Sequence, residues 1–240
     1  MPSKSFIVMV SFHLDVEKEA PFSAFYHHRY IPNLMTDVPG IRSAWRYQEH
    51  HVAGSLKYYR KQFLTIYACD SRQDAERATE AINGSRPGRE MDQAEWAEWQ
   101  ALAIHNLEAP CLYLERWAHP RTPADGIFGG RPFFMVSVEV AADQQARFDD
   151  WYEQQYLPRN VADVPSWAAC RRYSSVGRNP SRQHTVYEAG DLAGLDASLE
   201  AMRAPFRLEE NMSWKQWDAG DRPAIAWEDA ATYKPIFRKP

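Results

Sequence analysis

A chain of 240 residues with 45% hydrophobic and 25% charged residues has an ordinary globular composition, which excludes a disordered or fibrous protein. Its net charge of −4 is not concentrated in a block of like charges, so neither nucleic acid nor a membrane surface is expected as a partner. A small-molecule ligand or another protein chain remains, and a homo-oligomer stays open.

The sequence has three cysteines, Cys69, Cys111 and Cys170, and no C-x-x-C motif. This odd, small number disfavours a disulfide framework, and the missing motif disfavours a zinc ribbon. The first segment turns polar at Ser11, too early for the apolar core of a signal peptide. No apolar run approaches the ~18 residues of a membrane span. We therefore expect reduced cysteines and a cytoplasmic protein.

An internal repeat is the strongest signal in the sequence. The segment Phe-Ser-Ala-Phe-Tyr-His-His-Arg-Tyr-Ile-Pro at 22–32 returns as Phe-Asp-Asp-Trp-Tyr-Glu-Gln-Gln-Tyr-Leu-Pro at 148–158, a spacing of 126 residues. In this register 13 of the 43 positions from 5 to 47 are identical to those from 131 to 173. A duplication of this length predicts two similar domains, at 1–118 and 131–240, joined by a linker at 119–130.

In each repeat the hydrophobic pattern predicts the order strand, helix, strand, strand, helix, strand. The elements predicted for the first repeat span 6–14, 17–34, 41–48, 63–68, 72–82 and 111–117. For the second repeat the sequence predicts elements that include strands at 133–140, 183–188 and about 232–237, and a helix at 192–203. This order is the ferredoxin-like βαββαβ unit, whose sheet carries helices on one face only. We therefore predict an α+β fold, with two tandem ferredoxin-like repeats packed sheet to sheet as an intramolecular α/β barrel.

The first strand of each repeat separates an apolar face from a polar one. Side chains alternate along a strand, so Phe12 and its neighbours at i−2 and i−4 share the apolar face that should carry helices. Ser11 and His13 lie on the other face, and Ser137 and Glu139 occupy it in the second repeat. We expect this second face to line an interior cavity.

Four short motifs resemble those of one protein superfamily: the Phe/Trp-Tyr-x-x-x-Tyr-x-Pro of the first helix, the Val-Pro-Gly turn at 38–40, the Arg-Tyr at 46–47, and a strand ending in Tyr67 or Tyr187. On these residues the chain resembles the dimeric α/β-barrel superfamily in its tandem form, and most of all its EthD-like branch. That family contains muconolactone isomerases, cofactor-free monooxygenases and cyclases, and haem enzymes such as chlorite dismutases. Fold alone therefore limits the function only loosely.

Catalytic roles are predicted for four residues. His13 could act as a general acid or base near neutral pH, or it could be a strand-end histidine in contact with water. Its counterpart Glu139 breaks the symmetry, so the two repeats are expected to do different jobs. Tyr30 and Tyr156 stand where the family commonly has histidine; each could donate a hydrogen bond to a substrate oxyanion or simply pack in the core.

Substrate binding is predicted chiefly for the repeated arginines Arg46 and Arg172, because a planar guanidinium can hold a carboxylate or enolate through two hydrogen bonds. The alternative is a structural arginine paired with a surface carboxylate. The full set of predicted substrate-binding residues is Ser11, Arg29, Arg46, Ser137, Arg172, Tyr67 and Tyr187.

Neither a metal nor another cofactor is predicted. The histidine pairs at 27–28 and 50–51 are adjacent, so their side chains diverge, and H-x-H and H-E-x-x-H are absent. His105 or His184 could bind haem only by family analogy. The tryptophans at 96, 99, 214 and 217 are expected to cap the barrel ends or, alternatively, to flank an aromatic ligand.

These residues favour a cofactor-independent enzyme that isomerises an unsaturated, carboxylated intermediate of aromatic-compound catabolism by acid–base chemistry. One alternative is a cofactor-free monooxygenase or cyclase that acts on a phenolic or polyketide substrate. Another is a ligand-binding barrel without catalysis. Oxygen consumption distinguishes the first two, since an isomerase needs none.

Overall fold

A computed structural model describes residues 5–51, 56–84, 88–123, 130–202, 212–218 and 224–240. The chain forms two compact units, which do not coincide with the predicted domains. Unit 1 extends to Leu114 and also contains Tyr233–Pro240, whereas unit 2 comprises Glu115–Thr232. Part of the predicted linker, 124–129, lies outside the described residues, as do 52–55 of the longer loop of the first repeat and the end of the helix predicted to reach Arg203.

The elements follow the order predicted for a duplicated ferredoxin-like unit. The strands are β1 (Phe6–Asp15), β2 (Ile41–Glu49), β3 (Arg60–Cys69), β4 (Ile104–Ala118), β5 (Phe133–Val140), β6 (Trp167–Ser175), β7 (Arg182–Ala189) and β8 (Ile225–Lys239). The α-helices are α1 (Glu19–Phe25), α2 (Ile31–Asp37), α3 (Leu56–Tyr59), α4 (Arg72–Asn83), α5 (Glu90–Leu102), α6 (Gln145–Trp151), α7 (Leu157–Asp163), α8 (Leu192–Ala201) and α9 (Lys215–Asp218). None of the helices in the described ranges is long and apolar enough to cross a membrane.

Antiparallel pairing connects the strands in the order β1-β3-β2-β8-β5-β7-β6-β4, which closes as a barrel. Strand β3 lies between β1 and β2, with Val10 opposite Thr65 and Thr65 opposite Arg46. Strand β7 holds the same place between β5 and β6, with Thr185 opposite Arg172. The predicted α+β fold class, two tandem ferredoxin-like repeats in an α/β barrel, is confirmed.

The last strand of each repeat is longer than the sequence predicts. Strand β4 begins at Ile104 rather than at residue 111, and β8 begins at Ile225 rather than near residue 232. The missed halves are mostly solvent-exposed, so they carry no apolar alternation. Each of these strands passes from one unit into the other, which explains why the compact units differ from the sequence repeats.

The core of unit 1 is built on the predicted apolar face of β1. The ring of Phe12 packs edge-on against Phe22 at 5.5 Å, Tyr26 at 6.2 Å and Trp96 at 5.9 Å, measured between ring centroids. It also stacks on Phe63 of β3 at 6.1 Å. The helices therefore lie against the Phe12 face, as the strand alternation indicates.

The first long helix of each repeat contains a π-helical turn where the sequence predicts regular α-helix. In unit 1 this turn is Tyr26–Tyr30, between α1 and α2, and in unit 2 it is Tyr152–Tyr156, between α6 and α7. The predicted aromatic stripe persists through the turn, because Tyr26 stacks on Tyr30 at 5.2 Å. Isolated π turns are rare and occur frequently at functional sites.

Gly40, in the Val-Pro-Gly turn, permits a close approach to α4. A methyl group on Gly40 would lie 2.1 Å from Cγ of Asp74, whose backbone N–H donates to the N-cap residue Ser71. We expect Gly40→Ala to lower the free energy of unfolding by about 1–3 kcal/mol, because Asp74 must move away from the cap. Gly190→Ala is the matched control, since its methyl group meets nothing within 4 Å. Equal denaturation midpoints for the two variants would contradict this packing.

Candidate functional site

Unit 1 contains a cavity of about 400 Å³, within the usual range for small-molecule sites. We call it the α5 pocket. Its walls come from β1, the end of α4, α5 and the exposed half of β4. The residues that line it are Val10, Ile82, Asn83, Gly84, Gln93, Trp96, Gln100, Leu107, Ala109 and Pro110.

Helix α5 presents three residues to this pocket because of its periodicity. Gln93, Trp96 and Gln100 are three and four residues apart, so they share one face of the helix. The side-chain amide of Gln93 donates a hydrogen bond to the backbone carbonyl of Gly84, which connects α5 to the end of α4. Glu90 in the first turn of α5 is stabilised by the positive end of the helix dipole.

The chemistry of the α5 pocket is neutral. Its lining side chains are aliphatic, aromatic or carboxamide, and none of them ionises near neutral pH. Asn83 and Gln100 can donate and accept hydrogen bonds, while Trp96 offers an aromatic face. The lining contains no His, Cys or carboxylate, so these residues are not suited to hold a metal ion. The arrangement fits an uncharged aromatic molecule that carries oxygen substituents.

Trp96 connects the pocket to the buried aromatic stripe of the first helix. The indole is nearly buried, with 7% of its surface exposed, and its ring lies 5.6 Å from Tyr26 and 5.3 Å from Tyr30. Behind it the hydroxyls of Tyr26 and Tyr67 share a hydrogen bond of 3.1 Å. A ring bound against Trp96 would therefore extend an existing stack of aromatic side chains.

The buried tyrosines are hydrogen-bonding groups and not bases. Burial raises the pKa of Tyr26, Tyr30 and Tyr67, because the interior disfavours a phenolate. All three hydroxyls therefore stay protonated at neutral pH. Tyr30, predicted as a catalytic residue, faces Trp96 and the guanidinium of Arg89, which lies 4.8 Å from the ring centroid of Tyr30.

Arg29 belongs to an ion-pair network on the outer side of the same helices. Its Nε donates to Asp92 at 3.0 Å, and a second guanidinium nitrogen donates to Glu95. Asp92 also accepts from Asn33 at 2.7 Å. Because these carboxylates already hold Arg29, it links α5 to the first helix, and it does not line the α5 pocket. The predicted substrate contact is not supported by this placement.

The repeated arginines both lie on the helix-covered face of their strands, not on the face of Ser11 and His13. Arg46 contacts the rings of Phe22 and Tyr26 with its guanidinium 4.9 and 5.3 Å from their centroids. The pairing of β2 with β3 places Arg46 opposite Thr65, on the face that the helices cover. Its environment is the aromatic core.

Arg172 occupies the same position in unit 2 but is fully neutralised. Its two terminal nitrogens donate to Glu153 and Asp149, each at 2.5 Å, and no part of its side chain is exposed. Arg116 supplies a second positive charge to Asp149 at 2.8 Å. Removing one partner of such a buried pair costs ~3–5 kcal/mol, so Arg172 has a structural role and is not available to a substrate.

Ser11 and His13 lie together on the opposite face of β1, at its β4 edge. Ser11 donates to Glu108 of β4 at 3.1 Å, and His13 stands opposite His105, which contacts Asp15 at 3.0 Å. The pairing of β1 with β4 shifts on both sides of Ser11, and such bulges are over-represented beside active sites. A catalytic role for His13 remains a prediction.

The corresponding face of unit 2 holds one buried hydrogen-bonded pair and one partly exposed ion-pair cluster. Ser137 lies 2.7 Å from Nδ1 of His184, and burial lowers the pKa of that histidine to about 3, so its ring is neutral. Glu139, the predicted catalytic carboxylate, accepts from Arg182 at 2.9 Å and is also bonded to Arg178. Glu139 is therefore held by two guanidinium groups, as expected of a structural ion pair.

Tyr156 and Tyr187 are core residues of unit 2. The ring of Tyr156 stacks on Tyr152 at 5.3 Å and packs near Trp151 at 5.1 Å. The hydroxyl of Tyr187 accepts a hydrogen bond from Asn160 at 3.0 Å. Both phenols are thus placed among helices and strands of their own unit, and their predicted roles in catalysis or binding remain untested.

Sequence reasoning missed the carboxamides of the α5 pocket. Asn83, Gln93 and Gln100 belong to no motif and carry no charge, so nothing in their local sequence distinguishes them from surface residues. The available signal was the tryptophan pair, for which an aromatic ligand was one of two interpretations. The spacing from Trp96 to Gln93 and Gln100 puts all three residues on one helix face, so it would have added both carboxamides to the aromatic-ligand interpretation.

Comparisons with known proteins find relatives in fold but not in sequence. No family model matches the chain, and no curated protein matches it. Among solved structures, an anthrone oxidase-like protein is 16% identical, with a TM-score of 0.58 over 99% of this chain and 93% of the other. A proposed monooxygenase from Fusobacterium nucleatum subsp. nucleatum ATCC 25586 is 10% identical, with a TM-score of 0.57 over 100% and 95%.

A proposed chlorite dismutase is 12% identical, with a TM-score of 0.53 over 97% of this chain and 95% of the other. At these identities the similarity extends to the fold alone. The chain thus shares the ferredoxin-like α/β-barrel fold of these three proteins, and membership of the superfamily remains a prediction. Its EthD-like branch remains a prediction.

The raised pKa of the buried tyrosines predicts how stability depends on pH. In the unfolded chain a tyrosine ionises near ~10, so the stability it contributes is complete below that pH and is lost as pH rises toward the folded pKa. We expect the free energy of unfolding to fall above pH ~10, and to fall less in Tyr67→Phe, which removes one such group. Tyr58→Phe, with Tyr58 68% exposed, is the control. An identical alkaline slope for both variants in urea unfolding would show that Tyr67 does not titrate in this way.

Proposed function

We propose that the protein is a small-molecule enzyme whose substrate binds in the α5 pocket, and that it oxygenates a phenolic compound without a cofactor. The observation that carries this proposal is the lining of the pocket. Trp96 and five aliphatic side chains line an open depression of about 400 Å³, while Asn83, Gln93 and Gln100 supply neutral hydrogen-bonding groups. A ring with one or two hydroxyl or keto oxygens matches both the volume and the polarity.

The reaction is a four-electron oxidation of the ring by molecular oxygen. The phenol first loses its proton, and the phenolate gives one electron to O₂ to form a radical pair. Recombination at a ring carbon forms a C–O bond and a hydroperoxide, whose O–O bond then breaks with loss of the carbon-bound hydrogen. The products are a quinone and one water molecule, so both oxygen atoms and all four electrons are accounted for by substrate and O₂.

The residues of the pocket contribute orientation and electrostatic stabilisation. Trp96 stacks on the substrate ring, and the amide N–H groups of Asn83 and Gln100 donate to the phenolate oxygen, where negative charge develops. Gln93 is held in place by its hydrogen bond to Gly84. Since no lining residue is a base, the substrate must ionise to solvent. Its own pKa, lowered by the amide donors, should therefore set the pH dependence of the rate.

The isomerase predicted from the sequence is the weaker candidate. Moving a proton between carbons requires an acid–base group at the reacting atoms, and the α5 pocket offers none. His13 and Arg46, to which that mechanism was assigned, do not line the α5 pocket. The names of the structural neighbours, anthrone oxidase-like and proposed monooxygenase, also favour the oxygenase as a hypothesis.

Oxygen uptake with a panel of anthrones, hydroquinones and polycyclic phenols tests this function. We expect uptake with at least one of them, and a roughly tenfold or greater loss of kcat/KM in Gln100→Leu, since losing one oxyanion donor costs about 2.7–4 kcal/mol when it is fully engaged. Glu98→Ala, an exposed change on the same helix, should retain full activity. Turnover of a dienoate or lactone without oxygen uptake would overturn the oxygenase in favour of the isomerase.

The pH profile separates substrate ionisation from an enzyme base. With two phenols of different pKa, we expect the acidic limb of kcat/KM to move with the substrate, because no group of the pocket titrates there. A limb that stays at one pH for both substrates would reveal an ionisable enzyme group and contradict the assigned roles.

A further inference from the structure

The two repeats surround an equivalent arginine with side chains of different charge. Arg46 and Arg172 correspond in the 126-residue register, and each lies under the first helix of its repeat. The two helix positions that contact each arginine also correspond. They are Ser23 and His27 in the first repeat, and Asp149 and Glu153 in the second.

Arg46 has neutral partners only. Its Nη1 donates to Ser23 Oγ and contacts His27 Nε2, both at 2.9 Å. Because arginine has no acceptor, Nε2 must carry the lone pair, so His27 is neutral with its proton on Nδ1. Burial, together with the charge of Arg46, lowers the pKa of His27 to about 3, which agrees with this state.

The positive charge of Arg46 therefore has no carboxylate in direct contact, and Glu19 acts on it only at longer range. The side chain is completely buried, its Nε and Nη2 have no hydrogen-bond partner, and no carboxylate of the described residues forms an ion pair with it. Phe63, 4.4 Å from the guanidinium, offers a π face, which offsets only part of the lost hydration. At the equivalent place Arg172 holds two carboxylates.

A surface depression of about 470 Å³ lies beside the two hydrogen-bonding partners of Arg46, although Arg46 itself is not part of its lining. Ser23 and His27 belong to its lining, with Ile236 of β8 beside them. The ring of His27 stacks on Phe237 at 4.1 Å, which fixes the imidazole against the strand. An aromatic and aliphatic border thus surrounds the two hydrogen-bonding groups that contact Arg46.

The acidic residues at the rim of this depression are already paired. Glu17 contacts Lys18 at 3.3 Å, and Glu19 contacts Lys61 at 3.0 Å. The charges of these four residues cancel. The site therefore has a net charge of +1, which comes from Arg46.

We propose that Arg46, Ser23 and His27 form a binding site for a small carboxylate, which takes the place that the Asp149 and Glu153 carboxylates hold in the second repeat. The guanidinium supplies the opposite charge and a planar pair of donors. The hydroxyl of Ser23 accepts from Arg46 and keeps its own hydrogen to donate, as does Nδ1 of His27. This site is separate from the α5 pocket and does not depend on the function proposed for that pocket.

Binding of sodium benzoate tests the site, with benzamide as the uncharged probe of the same shape. We expect benzoate, but not benzamide, to raise the Tm of the wild-type protein in a saturable way, with matched binding in calorimetry. The double variant Ser23→Asp with His27→Glu copies the second repeat and supplies internal carboxylates. It should bind benzoate roughly tenfold more weakly or not at all, because the guanidinium is already occupied.

Two results would overturn the proposal: no response of the wild-type protein to benzoate or acetate at millimolar concentration, or an equal response in the double variant. Arg46→Lys adds a second measurement, since it keeps the charge but loses the planar fork, and binding should weaken while the fold persists. Oxygen uptake by the double variant reports on the α5 pocket separately, so failure of one site does not decide the other.

Discussion

A buried guanidinium under a stripe of aromatic rings is the constraint on which each repeat depends. Arg46 lies against Phe22 and Tyr26, and Arg172 lies in the same way against Phe148 and Tyr152. Each arginine is anchored on a central strand pair and reaches the π turn of the first helix. The position of that helix on the sheet is therefore set by a charge that must remain satisfied, and not by apolar contact alone.

The two repeats surround this buried charge differently. In the second repeat Asp149 and Glu153 neutralise Arg172, which makes a closed ion-pair cluster suited to stability. In the first repeat the same charge meets Ser23 and His27, which are neutral. Unit 1 also contains the α5 pocket. The two copies thus differ in charge at the same place: the second repeat supplies two carboxylates to its arginine, and the first supplies a hydroxyl and a neutral imidazole.

The sequence was sufficient for the fold but only partly for the sites. The 126-residue register and the alternation in β1 predicted the ferredoxin-like units and the helix-covered face of Phe12, because both signals arise from backbone periodicity. The burial of Arg46 and Arg172 among aromatic rings was not predicted, since charged side chains are usually exposed. The carboxamide lining of the α5 pocket could not be predicted, because it is assembled by contacts between distant elements.

The long strands β4 and β8 have a consequence for how this gene product could arise and be dissected. Unit 1 contains eight residues encoded at the far end of the chain, and unit 2 begins within a strand that starts in the first repeat. Each sequence repeat contains its own four strands, so a chain cut within 119–130 keeps β4 and β8 whole. A cut at a boundary of the compact units, after Leu114 or after Thr232, would instead divide one of these strands. Dissection of the protein should therefore follow the repeats and not the compact units.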